Sequence, residues 1–208
     1  MRVRLRKIPR RRPVQARSMA TVETLLSAVA QILVAGGYEG ATTNHIARRA
    51  GVSVGSLYQY FPNKEALLRE LLSRHLARRR SAIAEALAGP ASMAPVDAVR
   101  RMLRGVFEAH RVEPALYRAL AEHGDPDEVD AHERAVEALL ARYLRGRAGA
   151  LRPSDPDLAA RVLVRAVSGL LRTSTRGDPG WAERVEVEQE ILDLSLRYLL
   201  PDDAPPRA

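Results

Sequence analysis

The sequence predicts an all-α protein with a small N-terminal three-helix unit, containing a helix-turn-helix, and a larger C-terminal helical unit. Three observations carry this. Apolar residues recur at helical spacing along most of the 208 residues, and no segment shows the alternation of a half-buried strand. The stretch from Thr42 to Leu68 is punctuated as two short helices joined by a tight turn, with a longer helix following at once. A Gly- and Pro-bearing break at residues 89–95 then separates the first four helices from the rest.

The helix-turn-helix is legible residue by residue. Thr42 or Thr43 caps a helix whose apolar positions Ile46, Ala47 and Ala50 share one face. Gly51 supplies a left-handed position that ends this helix without steric cost. Ser53 caps the next helix, in which Leu57 and Phe61 lie one turn apart and point inward. Val54, Gly55, Ser56, Tyr58 and Tyr60 are left outside the apolar seam. Upstream, Val22, Leu25, Leu26, Val29, Ile32 and Leu33 form a scaffold helix ended by Gly36 and Gly37. Downstream, Asn63 caps a long helix running to about Ala88. Helix, Gly-containing turn and short second helix form the pattern that places a recognition helix in the major groove.

The run T-T-x-x-I-A-x-x-A-G-V-S-x-G-x-L-Y-x-Y-F-x-x-K-E-x-L resembles the N-terminal signature of TetR-family transcriptional repressors, over roughly residues 17–68. The resemblance implies a homodimer that binds double-stranded operator DNA and is released from it by a small ligand of unknown identity. It places Thr43 and Lys64 at phosphate contacts, and Asn44, Val54, Gly55, Ser56, Tyr58 and Tyr60 at base edges and nearby phosphates. Elementary chemistry agrees. A helix N-terminus suits a phosphate oxygen at Thr43, Gly55 allows close backbone approach, and tyrosine hydroxyls donate to phosphate. Lys64 is a point charge for the backbone. The recognition helix lacks Arg and Asn, so thymine methyl contacts and DNA shape are expected to carry much of the specificity.

The implied organisation is a basic arm at 1–16, a DNA-binding domain at 17–63, a regulatory and dimerisation domain at 64–200, and a tail at 201–208. The helix starting at Lys64 links the two domains, so a shift at its far end can swing the DNA-binding head. The last two helices, from Pro156 to about Thr175 and from about Gly180 to Leu200, are apolar on more than one side and read as the dimer interface. Two-fold symmetry predicts a palindromic operator. Candidate ligand-lining residues are Met102, Phe107, His110, Tyr117, Leu120, Tyr143 and Leu163, each of which reads equally as ordinary core.

Other classes are set aside on composition and pattern. No Gly-rich phosphate loop, nucleophile elbow or H-E-x-x-H is present, so an enzyme is not expected. Without cysteine there is no disulfide, thiolate site or cysteine nucleophile. No cofactor or metal is expected, and the stretch EHGDPDEVDAHE at 122–133 reads as a solvated acidic loop. No apolar run reads as a membrane span and no secretion signal opens the chain, so a cytoplasmic protein is expected. The competing reading is a non-specific architectural DNA-binding protein driven by charge.

That charge is concentrated. Residues 1–17 hold eight of the 33 basic residues and no acid, and the remaining 25 balance the 25 acids. With Pro9 and Pro13 the arm is not expected to be a regular helix, and it suits phosphate tracking or a minor groove. Deleting residues 1–15 should weaken operator binding and flatten its salt dependence. An unchanged slope of log affinity against log salt in the truncated protein would sink this role.

Overall fold

The computed structural model describes residues 12–89, 93–178 and 180–201, and among them every regular element is a helix. In order these are α1 (Arg12–Gly40), α2 (Thr43–Ala50), α3 (Val54–Tyr60), α4 (Lys64–Leu87), α5 (Pro95–Val112), α6 (Pro114–His123), α7 (Pro126–Arg145), α8 (Pro156–Gly177) and α9 (Val185–Leu199). Short 3-10 turns occur at Ala148–Ala150 and Trp181–Glu183. The chain divides within α4 into two compact units, residues 1–71 and 72–208.

In the first unit α1 packs on α2, and α2 on α3. Leu25, Leu26, Val29, Ile32 and Leu33 of α1 are buried, as are Ile46, Ala47, Leu57 and Phe61. Gly37, at φ 64° and ψ −168°, breaks α1 near its end, a conformation a side chain would strain. Two expectations change here. Residues 12–16 are helical, not part of an irregular arm, because Pro13 falls in the first turn, where its missing N–H forfeits no bond. The remainder of the arm, 1–11, lies outside the described residues, as does 202–208 of the tail. Ser18–Gly40 is also long and apolar enough to cross a membrane by length and composition. About a third of that window is buried inside the unit, where it supplies the α1 face of the core.

The second unit is built on α7 and α8, its most extensively paired helices. Ala159 and Ala160 are fully buried and let the backbones come close. The seam also carries charge. Glu133, only 4% exposed, accepts from Arg165 Nη1 at 2.7 Å and from Arg172 Nη1 at 2.8 Å, one on each oxygen. Arg165 reaches Glu137 through Nε at 2.6 Å as well. Charge-assisted bonds on both oxygens offset the cost of burying that carboxylate. Around the seam pack α5, α6 and α9, with Phe107, Leu140, Leu144 and Leu199 at most 1% exposed. Arg152 N–H donates to Leu199 O at 2.8 Å and ties the α7–α8 connection to the end of α9.

The acidic stretch at 122–133 is not a solvated loop. Asp125 caps α7 by accepting from Asp127 N–H at 3.0 Å, Pro126 takes the first helical position, and His132 and Glu133 face inward and are buried. His75 of α4 is buried too, with Nδ1 2.9 Å from Glu113 Oε2. Burial lowers the pKa of both histidines to about 3, with Arg79 adding to the shift at each and Arg80 and His75 adding at His132.

Both rings are therefore neutral in the folded chain, whereas unfolded histidines gain a proton below about 6.5. The unfolded state binds more protons in that range, so stability falls as pH drops from 6.5 toward 3. Each histidine should cost about 2 kcal/mol between pH 7 and pH 5. His132→Phe should remove roughly half of that loss in urea unfolding at the two pH values. An identical pH dependence in the variant would contradict the assignment.

Candidate DNA interface and a cleft in the second unit

The geometry of the helix-turn-helix follows from its caps. Thr42 Oγ1 accepts from His45 N–H at 3.2 Å and starts α2. At the other end Gly51 takes φ 68°, and Val52 N–H returns to Ala47 O at 3.0 Å, a Schellman closure that aims the chain into α3. Ser53 Oγ accepts from Ser56 N–H at 3.0 Å to start α3. Leu57, with no exposed surface, and Phe61, at 8%, hold the helix down. Asn63 Oδ1 accepts from Ala66 N–H at 2.8 Å and caps α4.

On the outer side, Asn44, Gly55 and Tyr58 are exposed, while Thr43, Val54, Ser56, Tyr60 and Lys64 are half-buried. Several of these are brought together. The hydroxyls of Thr43 and Tyr58 lie 3.4 Å apart, linking α2 to α3. Ser56 and Ser53 share a hydroxyl–hydroxyl bond of 2.8 Å. Ser18 Oγ donates to the Tyr60 hydroxyl at 3.2 Å, which sets that ring against α1. Lys64 Nζ sits 3.9 Å over the Tyr38 ring, a cation–π contact that restricts an otherwise flexible side chain.

Three residues join the candidates. Arg48 is exposed one turn after Asn44 and shares its face, a relation the i, i+4 spacing already contained. Arg49 is oriented by Nε donation to Gln31 Oε1 at 2.8 Å. Tyr38 serves as the platform for Lys64, 26 positions away, so nothing local could have announced it.

The second unit holds a partly open cleft with a cavity of about 40 Å³. Its wall is mostly apolar, including Ile83, Val99, Val106, Val136, Leu140 and Val164, with Arg79, His132, Glu133, Ser168 and Ser195 as polar members. Met102 and Leu163, two of the residues singled out in the sequence, belong to it. Phe107 is fully buried in the surrounding core, and Tyr117 is buried beside His75, its ring under the Arg79 guanidinium at 4.7 Å. Tyr143 is buried with Arg147 over its ring at 4.0 Å. The side chains of His110 and Leu120 lie outside the described residues. His132 and Glu133 went unselected because their stretch read as loop, although Asp125–Pro126 is a helix start signal. Among the described residues no group of three or more metal-ligating side chains forms.

Residues 95–199 match the family described as Tetracyclin repressor-like, C-terminal domain, and residues 25–71 match the one described as Bacterial regulatory proteins, tetR family. The chain is 31% identical over 180 residues to the HTH-type transcriptional repressor KstR of Rhodococcus jostii, covering 81% of this chain and 80% of that one. It is 32% identical over 190 residues to KstR of Mycobacterium tuberculosis, covering 86% and 80%. Its fold matches SmeT, the repressor of the Stenotrophomonas maltophilia multidrug efflux pump SmeDEF, with a TM-score of 0.73 at 23% identity over 91% of this chain and 95% of that one. Helix-turn-helix geometry, both family matches and relatives matched over four fifths of their length agree: the chain belongs to the TetR family of bacterial regulatory proteins.

Proposed function

We propose that this protein is a ligand-responsive transcriptional repressor that binds a palindromic operator as a homodimer. The carrying observation is the outer face of the helix-turn-helix, where exposed Asn44, Gly55 and Tyr58 stand beside the Thr43–Tyr58 hydroxyl pair and the ring-held Lys64. In this reading Thr43 and Lys64 meet phosphate, while Asn44, Val54, Gly55, Ser56, Tyr58 and Tyr60 read the groove. Repression is supported by the KstR relatives, which are transcriptional repressors.

Dimerisation through α8 and α9 is supported by exposed apolar side chains. Leu158, Val162 and Leu170 of α8 and Val185 and Leu194 of α9 are between 39% and 56% exposed in the single chain. Both helices bury their opposite sides in their own unit, so these residues form a second apolar surface that a like copy would cover. The cleft is the ligand's place, and its wall includes Arg79 of α4, the same uninterrupted helix that begins with Lys64. A ligand that favours one setting of α4 would then be linked reciprocally to operator affinity.

Purified protein, incubated with genomic fragments at physiological salt and sequenced after selection, should recover one or a few short palindromes. Lys64→Ala should weaken binding evenly across sequences and reduce the salt slope by about one. Tyr58→Ala should weaken operator binding by roughly 1–3 kcal/mol and cut the preference over random duplex. Recovery without a motif would replace this reading by charge-driven, non-specific binding.

A further inference from the structure

We infer that the cleft of the second unit takes a small molecule with an apolar body and one carboxylate head, the head held by Arg79 and His132. The inference rests on the ligand-responsive reading and adds the chemistry of the ligand.

The apolar wall sets the body. Ile83, Val99, Met102, Leu140 and Leu163 offer nothing a polar chain could bond to, so occupancy gains from removing apolar surface from water. The head follows from what the wall leaves unmet. Arg79 Nε and His132 Nδ1 are buried without a hydrogen-bond partner, and both residues line this cleft. His132 is 94% buried, since only 6% of it is exposed. Buried donors are ordinarily satisfied, so two unsatisfied ones on a single cleft wall mark the place of an absent acceptor.

Charge selects an anion over a neutral acceptor. Arg79 is a guanidinium cation stacked on the Tyr117 ring. The carboxylate on the wall, Glu133, has its two oxygens engaged by Arg165 and Arg172 and makes no ion pair with Arg79. Burial lowers the pKa of His132, and the nearby Arg79 and Arg80 charges add to that lowering. A neutral His132 donates from Nδ1 in one tautomer, and Arg79 donates from Nε, so an anionic oxygen meets two donors. An ammonium head would face Arg79 and a ring with no charge to offer it.

The test uses the full chain and three short probes in isothermal titration: hexanoate, 1-hexanol and hexylammonium. Hexanoate should bind at least about tenfold more tightly than either of the others. Arg79→Met should erase that preference while leaving 1-hexanol affinity within about twofold, and His132→Phe should reduce it. Arg78→Met, on the same helix with a side chain 64% exposed, should leave the preference intact. If Arg79→Met does not fold, as judged by circular dichroism, the His132→Phe comparison decides alone. Equal affinity for the three probes, or an unchanged preference in the folded variants, overturns the carboxylate assignment while leaving a small-molecule cleft in place. Binding by none of the probes overturns the inference, while the ligand-responsive reading falls only if no other small molecule releases the operator.

Discussion

A helix of seven residues does not hold itself together in water, because nucleation takes up most of what so few backbone bonds return. The recognition helix α3 has that length, and its existence depends on the burial of Leu57 and Phe61 against the rest of the first unit. Everything asked of the outer face follows from this anchor. Leu57 fixes the rotation of α3 about its axis, and the rotation decides that Gly55 and Tyr58 face outward. The Schellman turn at Gly51 fixes the angle between α2 and α3, and the Thr43–Tyr58 hydroxyl contact spans the resulting gap. Burying a leucine is worth roughly 2 kcal/mol, more than any single surface contact in the motif, so the apolar side sets the geometry that the polar side uses.

The second unit reverses the usual division between core and charge. Its central seam, α7 on α8, contains a carboxylate bound by two arginines from the facing helix, beside alanines small enough to permit the approach. A clasp of this kind is directional. Sliding α8 by one turn would strand Glu133 without its partners, at a cost that apolar packing alone does not impose. The same arrangement engages both Glu133 oxygens, while Arg79 Nε on the same cleft wall has no hydrogen-bond partner among the described residues.

The local code of the first unit was open to reading because each signal acts within five residues. Thr42, Gly51, Ser53 and Asn63 cap their helices through bonds to residues three to five positions away, and such bonds are a property of the sequence itself. The same logic explains two errors. Pro13 reads as a helix breaker, yet in a first turn it is harmless. The acids from Asp125 to Glu133 read as a solvated loop because charge outweighed periodicity in so short a stretch. Val129 and Val136 read as part of a following helix, and the structure starts that helix at Pro126, inside the acidic stretch.

By itself, the sequence determined the all-helical class, the position of the helix-turn-helix, the caps that bound its helices, and the family signature they spell. Tertiary structure alone decided that Lys64 rests on Tyr38, that Glu133 is gripped by Arg165 and Arg172, and that Arg79 and His132 share one cleft. The physical reason is distance along the chain. Caps and turns are settled by neighbours whose identity is printed next to them. Burial, cation–π contact and buried ion pairing depend on residues tens of positions apart, and these acquire a meaning only when the helices that carry them have packed.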